Sequence, residues 1–328
     1  PDVQDLYIEK INPSNENQYE VDGSWVDMDR FTEIIYRPNE DPLIIEVRET
    51  HHGPIISDRD YPINNLKFSE QSRIELPKNY AISLSWTALY PGKTFQAIRD
   101  FNYMRNYEEF REASKNFHVP AQNLLYADIE GNIAYQSPGL VPIRAEGHTG
   151  QYPIAGWTSS NDWKGFVPFE SLPSSLNPVS GYIITANQSI HPDQPWLDSH
   201  NKGYRAQSIK RVIENKLSEK ISVPDVMDML IDNYDYSPVY ILPYLFEAIY
   251  SDSLILNELK EWTTSDSPYE MNIDSSGAAA WAVLLKNLVN ETFDELVVLD
   301  GSGEEINLYP GHSDSTIEIL RTMLKDPN

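Results

Sequence analysis

Between Tyr7 and about Tyr90 the chain alternates short apolar runs with Asn, Asp and Pro punctuation. Thr32-Glu33-Ile34-Ile35-Tyr36, Leu43-Ile44-Ile45-Glu46-Val47 and Tyr80-Ala81-Ile82-Ser83-Leu84-Ser85-Trp86 have strand length and β-branched or aromatic character, so antiparallel sheet is expected here. A helix is expected next, from about Thr94 to Asn116, because Phe95, Ile98, Phe101, Tyr107 and Phe110 recur on one broadly apolar face. Strands resume from Asn123 to Gln136, where Asp128-Ile129-Glu130-Gly131-Asn132 supplies the turn between Leu124-Leu125-Tyr126-Ala127 and Ile133-Ala134-Tyr135. Pro, Gly and Trp then dominate from Ser137 to Pro178; Trp157, Trp163, Phe166 and Phe169 need burial, so this stretch is expected to be a structured loop. Gly181-Tyr182-Ile183-Ile184-Thr185-Ala186-Asn187-Gln188 is an apolar strand run ending in carboxamides. Beyond Arg205 the period turns helical, with candidates at Ala206–Leu217, Val223–Tyr234, Val239–Tyr250, Ser276–Val289 and Ser315–Leu324. Two parts are therefore expected, a β-rich one over residues 1–205 and a mainly helical one over 206–328.

Composition narrows the function classes. The 328 residues contain 40% hydrophobic residues and seven Trp, too much apolar surface for a disordered chain. No run approaches the length of a membrane-spanning helix. Fifty acidic against 25 basic residues give a net charge of −25, which repels nucleic acid phosphates and anionic lipid and leaves cations and neutral substrates as partners. The absence of Cys excludes disulfides, zinc–thiolate sites and a Cys nucleophile. The opening Pro1-Asp2-Val3-Gln4-Asp5-Leu6-Tyr7 reads as the middle of a strand with neither initiator Met nor leader, so an interior segment of a longer protein is expected. A catalytic role for the Pro1 amine finds no supporting context.

Few side chains suggest chemistry by themselves. An Asn held at the tip of a strand, such as Asn187, is a good oxyanion donor, although Asn after a strand is commonly a turn former. His51 and His52, adjacent on an apparent strand, are expected to face opposite sides and not to share an ion. His118, His148, His191, His200 and His312 show no HExxH spacing, and all seven histidines are expected to be structural or surface residues. The pairs Glu108-Glu109 and Glu304-Glu305 are expected to be solvated charges.

Several pieces, taken in order, carry more. They are Val47-Arg48-Glu49-Thr50-His51-His52-Gly53-Pro54-Ile55-Ile56, Ser85-Trp86-Thr87-Ala88-Leu89, Pro120 through Asp128, Gly131-Asn132-Ile133-Ala134-Tyr135, Gly181 through Gln188, and Gly203-Tyr204-Arg205-Ala206. Their order and spacing resemble the β-chain of the penicillin acylase family, N-terminal nucleophile hydrolases that cleave amide bonds. The resemblance runs from Asp2 to about Leu320. It implies an α+β fold of αββα layers with antiparallel sheets, here a partial domain with a helical subdomain after about residue 205.

The resemblance also implies roles. The family nucleophile is a Ser at the processed N-terminus of the β-chain, activated by its own α-amine. It lies several dozen residues before the segment matched by Pro1, so the nucleophile is expected outside this chain. Asn187 falls on the family's side-chain oxyanion donor and Arg205 on the arginine that shapes the surrounding field. Gln122 falls near the acyl-binding pocket. Asp2, Asp5 and Asp198 match carboxylate ligands of a structural calcium ion, and Gln4 and Gly150 match its backbone-carbonyl ligands; no organic cofactor is implied. Ser160-Asn161-Asp162-Trp163 imitates the Ser-Asn-x-Trp start of a family β-chain, but it sits in the family's Trp-Lys-Gly loop, so Ser160 is expected to be a loop residue. The expected partners are a small N-acyl amide and the missing α-chain and N-terminal part of the β-chain, in a periplasmic or extracellular setting. The alternative is a catalytically inactive, acidic, calcium-binding module on an acylase scaffold.

Overall fold

A computed structural model describes residues 3–57, 76–189, 203–216, 220–248, 253–299, 305–307 and 314–325. The chain divides into two compact units: one holds the described residues through Ile183, the other Ile184–Ser189 with those from Gly203 onward. Asn187 and Arg205 therefore share a unit. The class is α+β with mainly antiparallel pairing, as expected from the sequence.

In the first unit the strands are β1 (Gln4–Asn12), β2 (Asn15–Val21), β3 (Ser24–Asp27), β4 (Asp29–Ile35), β5 (Leu43–Thr50), β6 (Gly53–Pro54) and β7 (Tyr80–Trp86). They are followed by β8 (Leu124–Ala127), β9 (Ile133–Gln136), β10 (Ile154–Ala155) and β11 (Ser174–Leu176). β1 is central: it runs antiparallel to β7, with Tyr7 opposite Ser83, and parallel to β10, with Tyr7 opposite Ile154. Its strict alternation sends Asp5, Tyr7, Glu9 and Ile11 to the buried face. Two carboxylates on that face need polar partners, and neighbouring strands and loops supply them. β4 and β5 form a hairpin completed by β6. β8 and β9 pair through the Asp128 turn as expected, where the Asp128 carboxylate accepts from the Glu130 and Asn132 backbone amides.

Three local expectations are corrected. The long helix from Thr94 is two helices, Thr94–Phe101 and Tyr107–Ser114. Asn106 caps the second by accepting from the Glu109 amide at 2.9 Å, while the Glu109 carboxylate accepts from the Arg105 amide at 2.8 Å. This local capping outcompetes helix continuation, and Phe101 still meets Phe110 with ring centroids 5.9 Å apart. Next, His51 and His52 do not diverge from a strand. They form the turn between β5 and β6, which frees them from strand alternation and brings their ring centroids to 3.8 Å. Finally, Gly181–Gln188 is not a strand. The Gln188 side chain accepts from the Ala186 amide at 2.6 Å and donates to the Ile184 carbonyl at 2.7 Å, so the segment satisfies its own backbone and bends.

The second unit is helical, as expected, with helices at Tyr204–Asn215, Val223–Leu230, Ser237–Ala248, Ser276–Thr292 and Asp314–Lys325. The pattern reading did not anticipate Leu254–Thr263. Trp281, Leu259, Ile241, Leu242 and Val289 fill its core. Trp281 keeps its indole N–H satisfied by the Asp235 carboxylate at 3.1 Å. A Cβ on Gly277 would lie 2.2 Å from Cβ of Trp262, so only glycine permits this close approach. β12 (Val297–Leu299) and β13 (Glu305–Asn307) form a small hairpin.

Candidate functional site

The Asn187–Arg205 pair is built from two short-range features of one unit. Asn187 sits at the bend with φ of 59°, a left-handed conformation that Asn tolerates better than most residues. Arg205 occupies the first turn of the Tyr204–Asn215 helix, introduced by Gly203 at φ 91°. Arg205 Nη2 donates to Asn187 Oδ1 at 2.7 Å. A guanidinium can only donate, so this contact decides which way the amide faces: Oδ1 toward Arg205, and the two N–H donors of Nδ2 away from it. Both residues are exposed. A cation in the first turn opposes the helix dipole, so helix stability does not account for Arg205 at this position.

Arg205 also lines a cavity of about 330 Å³ with Tyr204, Ser208, Asp232, Asp235 and Asp314. Burial raises the Asp314 carboxyl above its ordinary value; Arg205 opposes this, and the charges of Asp235 and Glu318 reinforce it. Tyr204, pushed up by burial and by its hydrogen bond to Glu318 at 2.6 Å, stays a phenol. Asp232 is held by Arg211 through bonds of 2.6 and 2.8 Å. The arrangement can hold negative charge at an amide N–H beside a fixed cation. Neither Asn187 nor Arg205 can attack a carbonyl.

The other expected site residues lie in the first unit or outside the description. Gln122 is exposed just before β8. Gln4, Asp5 and Gly150 line one cavity of about 230 Å³, so the structure does bring these three together. Asp2 and Asp198 lie outside the described residues, as do Pro1, His191, His200, His312 and Glu304. Asp5 is buried and already paired: Arg144 Nε donates to its oxygens at 2.8 and 3.0 Å, and the Trp163 indole at 2.6 Å. Arg144 also reaches the Gln4 carbonyl at 3.4 Å. Calcium takes roughly six to eight oxygens. The three described donors, with a guanidinium on two of them, do not make a calcium cage alone. Ser160 lies exposed in a short helical turn, in keeping with a loop role.

Sequence reasoning passed over a buried polar cluster around β1. Glu9, fully buried, accepts at Oε1 from Ser83 Oγ at 2.6 Å and Thr50 Oγ1 at 2.9 Å, and pairs with His52 Nδ1 at 2.8 Å. Burial alone would raise its carboxyl, but these hydrogen bonds outweigh it and hold the group below its ordinary value. The available signal was the period-two placement of Asp5, Tyr7 and Glu9, which puts two acids on the face of a strand that also carries Ile11.

Comparison with known proteins bears on the family and the fold. The penicillin amidase family model matches residues 1–328. An acyl-homoserine lactone acylase QuiP from Pseudomonas fluorescens is 27% identical over 250 residues, which is 75% of this chain and 29% of that protein. Penicillin G acylase from Escherichia coli is 32% identical over 220 residues, 66% of this chain and 24% of that protein. The chain thus spans less than a third of the curated relatives it matches. Among solved structures, thermostable penicillin G acylase from Alcaligenes faecalis matches with a TM-score of 0.75 and 22% identity, over 100% of this chain and 60% of that one. At that identity the match shows a shared fold.

Proposed function

Because this chain belongs to the penicillin amidase family, we propose that it forms part of an amidohydrolase and supplies the oxyanion-stabilising half of its active site. The observation that carries the proposal is the 2.7 Å bond from Arg205 to Asn187 Oδ1, which turns both amide N–H donors of Asn187 away from the guanidinium. Held that way, an N–H of Asn187 meets the negative charge that grows on a carbonyl oxygen as the tetrahedral intermediate forms. Arg205 fixes the donor and adds positive potential beside it. The nucleophile is an N-terminal Ser, with its α-amine as base, on a part of the protein outside this chain. It attacks the acyl carbon of a linear N-acyl amide, the amine leaves, and water releases the acid from the Ser ester.

The remaining roles follow from the same family membership. Gln122 contributes to the acyl side of the pocket. A structural calcium ion belongs to the proposal through Asp2, Asp5 and Asp198 with the Gln4 and Gly150 carbonyls; its support is the shared cavity of Gln4, Asp5 and Gly150. Asp2 and Asp198 would have to supply the missing carboxylates, and no step of the reaction runs through the ion. The partners are the α-chain and the N-terminal part of the β-chain, and the setting is periplasmic or extracellular. Among the described residues no helix is long and apolar enough to cross a membrane.

The experiment is the intact mass and N-terminal sequence of the protein purified from its source, followed by a hydrolysis panel of penicillin G, acyl-homoserine lactones and N-acyl nitroanilides. A processed chain beginning with Ser, containing this segment and hydrolysing one of the amides, is the expected result. A protein that begins at Pro1, has no partner chain and shows no hydrolysis would replace this reading with that of an inactive acidic module.

A further inference from the structure

The turn between β5 and β6 places two imidazoles against one carboxylate. His52 is buried and stacks on Tyr7, with centroids 3.7 Å apart and planes within 5°. His51, beside it, is exposed. Both Nε2 atoms approach the same oxygen: Asp162 Oδ1 lies 3.1 Å from His52 Nε2 and 3.6 Å from His51 Nε2. All three candidate donor atoms lie within 4.8 Å of one another.

Each ring is oriented from behind. His52 Nδ1 is 2.8 Å from the buried Glu9 carboxylate, and His51 Nδ1 is 3.0 Å from the Tyr19 hydroxyl. Glu9 Oε1 also accepts from the Ser83 and Thr50 hydroxyls, which places His52 Nδ1 as a third donor to that oxygen. In the neutral ring, Nε2 then carries a lone pair. It faces another lone-pair atom, Asp162 Oδ1, at hydrogen-bonding distance. That contact repels unless a positive centre lies between the two atoms or the ring gains a second proton. A metal ion about 2.0–2.2 Å from each donor would satisfy both imidazoles and the carboxylate at once. Carboxylate–histidine–metal relays of the Glu9–His52 kind commonly fix ligand tautomers in metal sites. The local charge also favours a cation: Glu9 and Asp162 are both acidic, and Glu9 Oε2 has no hydrogen-bond partner among the described residues.

We propose that His51, His52 and Asp162 bind one first-row divalent metal ion of the zinc type, with Glu9 and Tyr19 orienting the two imidazoles. Two nitrogen donors out of three select a borderline metal over calcium or magnesium. Three protein ligands leave a coordination position for water on the exposed side of His51. The ligands come from two segments 110 residues apart, so the ion clips the β5–β6 turn to the loop around Asp162. Binding the folded state in this way raises thermal stability. The proposal stands apart from the amidase reading, because neither Asn187 nor Arg205 enters it.

The test uses the full-length protein stripped with chelator and titrated with Co2+ as a visible probe, then with Zn2+ as competitor. One equivalent of Co2+ should develop d–d absorption, Zn2+ should displace it, and the melting temperature should rise with either ion. His51→Asn and Asp162→Asn change groups that reach the surface, and each should abolish the Co2+ spectrum while leaving the far-UV circular dichroism intact. Glu9→Gln, if it folds, should weaken binding by about 10–100-fold. Absence of a Co2+ spectrum in the wild-type protein overturns the proposal and leaves His52 and Asp162 as a hydrogen-bonded pair. So does a spectrum that survives in both surface variants.

Discussion

Replacing Asn187 by Asp separates the proposed oxyanion role from structure more cleanly than replacement by Ala. Arg205 donates to Oδ1 at 2.7 Å, and a carboxylate oxygen accepts that bond equally well. The new charge faces an exposed guanidinium, a pair worth about 0–1 kcal/mol. The backbone is at φ 59°, where Asp is tolerated but Ala would add roughly 1–2 kcal/mol of strain. Stability should therefore hold, with a melting shift of no more than about 2–4 °C. Activity should not hold, because both N–H donors vanish and a negative charge takes their place. Loss of one oxyanion donor typically costs about 10²–10³ in kcat, or about 2.7–4 kcal/mol, and the added repulsion deepens the loss. The assay is release of nitroaniline from an N-acyl nitroanilide by the complete enzyme, measured beside differential scanning fluorimetry. An Asn187→Asp enzyme that melts normally and turns over within a few-fold of wild type would refute the reasoning.

Three further outcomes are expected. Asp5→Asn removes the charge of the buried carboxylate that Arg144 bonds at 2.8 Å and should cost about 3–5 kcal/mol in urea unfolding, partly recovered in the Asp5→Asn/Arg144→Met double variant. Gly277→Ala sets a methyl 2.2 Å from Trp262 Cβ and should destabilise by at least about 1–3 kcal/mol, whereas Gly131→Ala, with open space around it, should show only the strain of its φ of 91°. Asp225, bonded to Lys216 and to the Ser222 side chain and amide, is held below its ordinary carboxyl value. Its contribution is complete above the unfolded value near 3.8 and disappears as pH falls through the lower folded value, so Asp225→Asn should reduce stability at neutral pH and make its loss below about pH 4 shallower.

Much of the architecture was legible because period and punctuation are local properties. The β-rich first part, the Asp128 hairpin and the C-terminal helices, Leu254–Thr263 apart, follow from runs of side chains facing one way and from residues that end them. The motif order likewise singled out Asn187 and Arg205 as candidates. Their contact was not legible, since an 18-residue separation says nothing about which amide atom meets which guanidinium nitrogen.

What the sequence by itself determined, then, is the alternation that buries Asp5, Tyr7 and Glu9 on one face of β1, the family's motif order, and an acidic surface. What only the tertiary structure decided is how those buried charges are answered: Arg144 and Trp163 close on Asp5, while Ser83, Thr50 and His52 converge on Glu9. It also decided that His51 and His52 share a turn and meet Asp162. The physical reason is that a buried charge must find partners wherever the fold offers them. Those partners come from segments tens to more than a hundred residues away, beyond the reach of any local period.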